Sequence, residues 1–97
     1  TNLVVAELSQ VTKIILRTKN NGIVEAKGVE YFDSYGDLVR AKAKEEVIVS
    51  AGTYGSAKLL LLSGLGPSED LSSLGINILK NISAVGKNLV DHFYTFF

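Results

Sequence analysis

Residues 45 to 67 read EEVIVSAGTYGSAKLLLLSGLGP, in which an apolar strand pattern passes through small residues into an apolar helix pattern. Residues 47–49 are apolar on consecutive positions, which is typical of a strand buried on both faces in a parallel sheet. Ser50, Ala51 and Gly52 follow at the carboxyl end of this strand, where α/β sheets place their ligands. Because these residues are small, the backbone can come close to a ligand, so we predict a binding site at this turn.

A helix is predicted directly after the turn. Ala57 and the run LLLL at residues 59–62 form a nearly continuous apolar surface around this helix, which indicates that it is buried. The string SGLG at residues 63–66 ends the helix, because glycine adopts the left-handed conformation that helix ends favour. We interpret this string as structural rather than chemical.

A second, short helix is predicted next. Ser68 is placed to cap it, Glu69 and Asp70 bring negative charge to its first turn, and Gly75 follows its end. Residues 76–79 then have the pattern of one more short strand.

The first part of the chain has the pattern of antiparallel strands. Strand candidates lie at residues 2–8, 10–18, 23–32 and 38–42. Asn-Asn-Gly at residues 20–22 predicts a tight primed hairpin turn, since Asn and Gly tolerate positive φ, and Ser-Tyr-Gly-Asp at residues 34–37 predicts a second turn. The predicted fold class is therefore α/β, with parallel-sheet strands, an antiparallel three-stranded meander and a buried helix.

Composition argues against several classes of partner. The chain has 97 residues with ten basic and ten acidic side chains, whereas nucleic-acid binders present a basic face. It has no cysteine, which excludes a disulfide framework and a thiol nucleophile, and one histidine among dispersed carboxylates gives no metal-ligand spacing. The longest apolar run is residues 59–62, far below the roughly 20 residues of a membrane span. We expect neither a nucleic acid nor a membrane as partner, and no compartment is indicated.

The two ends of the sequence favour a piece of a longer protein. The chain contains no methionine and begins with Thr1. Its last residues, FYTFF at 93–97, would form an exposed apolar patch in isolation, so we expect them to be core that other residues cover. The chain is thus expected to pack against the rest of its own protein.

The stretch GTYGSAKLLLLSGLGP, residues 52–67, closely resembles the second signature of the glucose–methanol–choline (GMC) oxidoreductase family, flavoproteins that oxidise alcohols with FAD. Further strings fall in the family's order: NLVVAELSQVTKIIL from residue 2, GVEY from residue 28, EDLSSLGI from residue 69 and VGKNLVDH from residue 85. Two positions depart from the family's pattern. Ala57 stands where proline is usual. Because a first helical turn tolerates proline, alanine in its place should keep the helix. Val90 stands where glutamine is common.

The resemblance implies that residues 1–97 are a middle segment of the family's Rossmann-like FAD-binding domain. Ser50, Ala51 and Gly52 would then contact the FAD, and Val11, just after the opening strand, would contact the adenine through its main chain. The N–H groups at the start of the following helix suit an anionic cofactor. The family's GxGxxG turn and its carboxy-terminal catalytic histidine have no match here, so we expect no catalytic residue in this chain.

The function implied by the resemblance is a segment of an FAD-dependent oxidoreductase that acts on CH–OH groups of small-molecule alcohols. The flavin carries the redox chemistry, and the protein positions it. By the family match, His92 lies in a loop near the cofactor rather than in the catalytic pair. Asn88 and Asp91 are interpreted as residues that hold this loop by side-chain to backbone hydrogen bonds.

Three alternatives remain open. Some relatives with the same cofactor domain are lyases that bind FAD without net redox chemistry, and nothing between Thr1 and Phe97 separates them from oxidases or dehydrogenases. The second alternative is a non-catalytic β-rich interaction module, against which the two-sided apolar strand at residues 47–49 argues. The third is a degenerate homologue that has lost the cofactor.

Overall fold

The computed structural model describes residues 2–95, which form a three-stranded antiparallel sheet followed by a smaller unit of helices and short strands. The sheet contains β1 (Gln10–Thr18), β2 (Val24–Phe32) and β3 (Leu38–Lys42), in the order β1-β2-β3. The smaller unit contains α1 (Gly52–Leu62), β4 (Leu65–Gly66), α2 (Ser68–Ser73) and β5 (Lys80–Asn81), and β4 pairs with β5 in parallel. The predicted α/β class and the predicted meander are confirmed.

Both hairpins of the meander close through a short loop that ends in glycine. Gly22 N–H donates to Lys19 O (2.9 Å), and Lys19 N–H donates to Ile23 O (2.8 Å). The loop around Gly36 has the same pattern, with Asp33 in the place of Lys19. In these loops only the glycines have positive φ, at +81° and +85°. The first loop is therefore a type I turn followed by a glycine bulge rather than the primed turn predicted from the sequence.

A bulge interrupts the pairing of β1 with β2 near its start. Val11 faces Tyr31 and Lys13 faces Glu30, so Thr12 is an extra residue on β1. A bulge bends its strand and changes the direction of the neighbouring residues. The bulge therefore sets the direction in which Val11 is presented.

Gly28 allows the middle strand to approach β3 closely. It pairs with Lys42 on β3, and a Cβ built on it would collide with the carbonyl oxygen of Ala41. Glycine is thus required in the interior of β2 because another backbone lies in the space of its side chain.

Helix α1 ends in a glycine turn, as the SGLG string predicts. Ser63 caps the helix, and its N–H donates to Leu59 O (3.1 Å). Gly64 follows with a φ of +83°. Gly66 is not left-handed; instead, a Cβ built on it would collide with the side chain of Leu61. The two glycines therefore serve different purposes, a backbone turn and a close approach.

Helix α2 begins one residue away from the predicted cap. Pro67 is the N-cap, and Ser68 is the first helical residue and makes no capping bond with its side chain. The extended backbone of Pro67, with φ −61° and ψ 126°, ends the preceding strand and leads into the helix. Glu69 and Asp70 lie in the first turn, and Gly75 follows the helix end with a φ of +68°, as predicted.

Three predicted strands differ in the structure. Residues 2–8 and 47–49 form no strand, and β5 replaces the strand predicted at residues 76–79. Ile48 is 78% exposed. Consecutive apolar residues predict burial on both faces, but a strand also needs neighbours for its backbone groups, and residues 2–95 supply none at these two places. The parallel pairing occurs instead between β4 and β5.

The burial predicted for helix α1 is incomplete. None of its residues is fully buried, and Tyr54 and Leu62 are exposed. The helix packs on β1 and β4, which cover one side of it. Within residues 2–95, the remaining apolar surface of α1 stays open.

The described residues leave much apolar surface uncovered. Ile14 and Leu71 are buried, at 6% and 0% exposure, whereas Phe93 and Tyr94 of the predicted aromatic core are 100% and 84% exposed. Residues 96 and 97 lie outside the described residues. The accessible area is 8156 Å², against roughly 5,400 Å² for a folded monomer of this mass. The radius of gyration is 15.9 Å, against about 12.5 Å for a compact domain of this length.

Neither helix described within residues 2–95 has the length and hydropathy of a transmembrane span. In the same part of the chain, no three His, Cys, Asp or Glu side chains are grouped so that they could hold a metal ion.

Candidate functional site

The amino-terminal end of α1 presents N–H groups that a ligand can bind. Ala51 is the N-cap, and among the described residues no side chain caps the helix. The first turn of α1 carries no acidic residue, in contrast to Glu69 and Asp70 at the start of α2. A helix N-terminus carries partial positive charge. Because no carboxylate of the helix itself competes for this charge, the start of α1 suits an anionic group.

A cavity of about 610 Å³ lies between strand β1 and the helix, and we call it the β1–α1 cavity. Val11 and Thr12 line it from the strand, and Ala51 and Lys58 line it from the helix side. The structure thus brings together two residues that were predicted to bind the cofactor, Val11 and Ala51, although they are far apart in the sequence.

The turn before α1 is small and open. Ala51 N–H donates to Ser56 Oγ (3.0 Å), which holds the turn against the first turn of the helix. Gly52 has a φ of +79°, a conformation that favours glycine. A Cβ built on Gly52 would meet no atom within 4 Å, so bulky neighbours do not fill this space. Ser50 and Gly52 adjoin Ala51 but do not line the β1–α1 cavity.

Val11 is held in place by the bulge beside it. The Val11 carbonyl oxygen accepts a long, exposed hydrogen bond from Gln10 Nε2 (3.4 Å), and a ligand can replace so weak a bond at little cost. Thr12 Oγ1 donates to Glu30 O (3.0 Å) and lies 3.4 Å from Glu30 Oε1. The side chain of the extra residue therefore fixes the bulge, and the bulge fixes the main chain of Val11.

Glu30 supports the same bulge from β2. It is 8% exposed, and its Oε2 accepts a hydrogen bond from Arg40 Nε on β3 (2.9 Å). This bond, together with the charge of Lys13, holds the pKa of Glu30 below its ordinary value, although burial acts in the opposite direction. The sequence analysis missed this cluster. The sequence does place Glu30 between Val29 and Tyr31 in a strand pattern. Whether a carboxylate at such a position is buried depends on its partners on the neighbouring strands.

A second cavity, of about 820 Å³, lies on the other side of α1. Tyr54, Ala57 and Leu61 line it from the helix, and residues 86–90 line it from the carboxy-terminal loop. Its walls are mainly apolar. Lys58 lines both cavities, so helix α1 separates them. This explains why the apolar residues of α1 surround the helix rather than form one stripe.

Comparison with known proteins decides the family. The family model described as GMC oxidoreductase matches residues 1–94. The chain belongs to the GMC oxidoreductase family. It is 38% identical over 91 residues to glucose dehydrogenase (FAD, quinone) of Drosophila pseudoobscura pseudoobscura, covering 94% of this chain and 14% of that protein. It is 46% identical over 93 residues to (R)-mandelonitrile lyase 4 of Prunus serotina, covering 94% of this chain and 16% of that protein.

A solved structure has the same fold over most of this chain. Formate oxidase of Aspergillus oryzae RIB40 matches with a TM-score of 0.80 and 36% sequence identity, covering 87% of this chain and 14% of the oxidase. This GMC chain therefore spans 14% to 16% of the length of these relatives.

The residues of this GMC chain fit an FAD molecule. Gly52 leaves open the space that a Cβ would occupy, so the backbone there is accessible to a ligand. The start of α1 offers N–H groups suited to a pyrophosphate. The β1–α1 cavity, at about 610 Å³, has the size of a small-molecule site. Val11 lines this cavity from the strand.

Local contacts shape the carboxy-terminal loop within the described residues. His92 N–H donates to Asp91 Oδ1 (2.7 Å), and both residues are exposed. Asp91 thus holds the adjacent backbone, in agreement with its predicted role. Asn88 has a left-handed backbone, with a φ of +58°. An exposed ion pair between Lys87 Nζ and Asp70 Oδ2 (2.9 Å) joins the loop to α2.

Proposed function

We propose that this chain is part of the FAD-binding domain of an oxidoreductase that acts on CH–OH groups of small-molecule alcohol donors. The family match over residues 1–94 supports this, as does the similarity to a dehydrogenase whose name includes FAD. The bound flavin supplies the redox chemistry. Residues 1–97 contribute binding and orientation of the cofactor, while the substrate hydroxyl is handled by residues outside this chain.

The observation that carries the proposal is that Val11 and Ala51 line one cavity beside the uncapped start of α1. In the proposed complex, Val11 offers its main-chain groups to the adenine. The N–H groups of the first turn of α1 face the pyrophosphate. Ser50 and Gly52 complete the contact surface, because the backbone there has no large side chain to keep the cofactor away.

We also infer that residues 1–97 are one part of a larger FAD-binding domain and pack against the rest of their own protein. The uncovered apolar residues at 2–8 and 47–49 support this, together with exposed Phe93 and Tyr94. The relatives' greater length supports it as well, since this chain spans only 14% of the Drosophila dehydrogenase. Strands at residues 2–8 and 47–49 would form in that setting, where neighbouring strands are present.

The substitution Ala51→Leu in the complete protein tests the proposed site. Ala51 has a φ of −91° and a ψ of 20°, so leucine there needs no left-handed backbone and adds volume at the β1–α1 cavity. Overfilling a packed site costs about 1–3 kcal/mol, which corresponds to roughly fivefold to 150-fold in affinity. We expect the FAD content of the purified protein, measured by flavin absorbance, to fall accordingly.

Ala41→Leu is the matched control, because Ala41 is exposed on β3, away from the β1–α1 cavity. It should leave the FAD content unchanged. A complete protein with Ala51→Leu that still carries one FAD per molecule would show that the cofactor does not use this cavity.

A second candidate function is that of an FAD-binding lyase of the same family. The 46% identity to (R)-mandelonitrile lyase 4 supports it. Assays of the complete protein separate the two candidates. Reduction of an electron acceptor by an alcohol supports the oxidoreductase, and cleavage of mandelonitrile without reduction of the flavin supports the lyase. This chain has the same cofactor role in both.

A further inference from the structure

Ser63 joins strand β1 to helix α1 through one buried hydroxyl. Its Oγ accepts a hydrogen bond from Ile14 N–H (2.8 Å) and donates one to Leu59 O (2.6 Å). Ser63 and Ile14 are both 6% exposed. The hydroxyl therefore uses its donor and an acceptor site in a bridge that water scarcely reaches.

Ser63 joins the strand and the helix that form the two walls of the β1–α1 cavity. Leu59 lines the cavity from the helix, and Ile14 lies two positions after Thr12, which lines it from the strand. Ile14 pairs with Val29 on β2, yet its N–H bonds to Ser63 and so faces the helix. Ile14 and Ser63 line a separate cavity of about 330 Å³, and Leu62 lines both cavities, so the bridge lies beside the β1–α1 cavity.

The bridge limits how far the two walls can separate. Leu59 O also accepts a hydrogen bond from Ser63 N–H (3.1 Å), so it stays paired if the hydroxyl is removed. Ile14 N–H, by contrast, bonds to the hydroxyl itself, and an unpaired buried N–H is unfavourable. If the hydroxyl is removed, the Ile14 N–H can regain a partner when β1 moves away from α1 far enough for water to reach it. Such a movement changes the position of Val11 relative to Ala51.

We propose that Ser63 is a positioning residue for a bound dinucleotide, whose hydroxyl sets the separation between Val11 on the strand and Ala51 on the helix side. This role rests on the proposed contact of those two residues with FAD. Ser63 itself does not line the β1–α1 cavity, so it acts through the two walls and touches no part of the cofactor.

The test compares Ser63→Thr with Ser63→Val in the complete protein, because these side chains have the same shape and only threonine carries a hydroxyl. Each apoprotein is titrated with FAD, binding is followed by flavin fluorescence, and the melting temperature of the apoprotein is recorded in parallel. We expect a dissociation constant for FAD at least about tenfold higher for the valine variant than for the threonine variant. Ser63→Ala, which adds no volume, should bind FAD as weakly as the valine variant.

Ser73→Ala is the matched control. The Ser73 hydroxyl donates to Asp70 O at the end of α2 (2.8 Å), which resembles the bond from Ser63 to Leu59, but it is exposed and has no bond to a strand. Its loss should leave the dissociation constant for FAD unchanged, and the threonine variant at position 63 should stay close to the unmodified protein.

Three results would overturn the role of Ser63. The first is equal FAD affinity of the threonine, valine and alanine variants, and the second is an affinity that follows the melting temperature rather than the hydroxyl. The third is failure of the hydroxyl-free variants to fold, which would make the bridge a requirement for folding. If Ala51→Leu weakens FAD binding and the Ser63 variants do not, only the role of Ser63 fails; if neither does, the proposed FAD contact fails too.

Discussion

Glu30 lies opposite Arg40 in the β2–β3 register, and its Oε2 accepts a hydrogen bond from Arg40 Nε at 2.9 Å. From the other side, Thr12 Oγ1 on β1 donates to the carbonyl of the same residue. Glu30 thus connects all three strands of the meander and supports the bulge beside Val11. A residue that does not line the cavity therefore links the bulge beside Val11 to β3.

Glu30 should make the stability of the protein dependent on pH in acid. The bond from Arg40 lowers the pKa of Glu30 from its ordinary 4.5. A carboxyl whose folded pKa is lowered contributes stability above its unfolded pKa, and this contribution is lost as the pH falls through the folded pKa. We expect the melting temperature below pH 4.5 to fall more steeply in the unmodified complete protein than in Glu30→Gln, measured by circular dichroism.

Glu25→Gln is the control for this prediction. The pKa of Glu25 is also lowered, mainly by a hydrogen bond from Lys27, but the Glu25 side chain is more exposed, and solvent screens such pairs. Its variant should change the acid slope less. If the melting temperatures of the two variants depend on pH with the same slope in acid, the burial of Glu30 does not increase its contribution to stability.

Gly28→Ala should disrupt the meander. A Cβ at this position would collide with Ala41 O, so β2 and β3 must separate locally, at an expected cost of about 3 kcal/mol or more in the free energy of unfolding. In the control Gly36→Ala, the Cβ would meet no atom within 4 Å, and only the left-handed backbone costs about 1 kcal/mol. Denaturant midpoints of the two complete proteins measure the difference, and equal midpoints would contradict the expected collision.

The strands of the meander could be predicted from the sequence because their signals are local. The bounds of β1 follow from the alternation of its residues, and the hairpin at Gly22 follows from its turn residues. Residues 47–49 show the limit of such signals: their apolar pattern predicts a strand, but residues 2–95 form no strand there and supply no neighbouring strand to pair with. The start of α1 at Gly52 was predictable since small residues and a helical pattern meet there.

Part of the candidate site has a signal in the sequence and part has none. Ala51 and Val11 were predicted as cofactor contacts from small residues and from the family resemblance, and both line the β1–α1 cavity. Ser63 and Glu30 were not identified in their supporting roles, because those roles depend on partners far along the chain. The Ser63 hydroxyl bonds to a residue 49 positions away and Glu30 to one 18 positions away, and single-sequence patterns do not reveal which distant residues meet.

Gly52→Val should reduce FAD occupancy of the complete protein for two reasons. The branched side chain would enter the open space before α1, and the φ of +79° strains any residue other than glycine. Gly22→Val carries the same strain, at a φ of +81° and with no atom within 4 Å of a Cβ, but lies in a distant hairpin. Flavin absorbance should fall more for Gly52→Val than for Gly22→Val, and an equal fall would assign the effect to strain alone.

The 97-residue chain by itself should bind FAD weakly or not at all. Its accessible area of 8156 Å² exceeds that of a compact monomer of its mass. Folding of the isolated chain therefore buries little apolar surface to offset the loss of conformational entropy. It also supplies only part of the surface that a dinucleotide would contact. Calorimetric titration with FAD should therefore give no measurable heat of specific binding, while the complete apoprotein titrates under the same conditions. Tight binding of one FAD per isolated chain would show that residues 1–97 already contain a sufficient site.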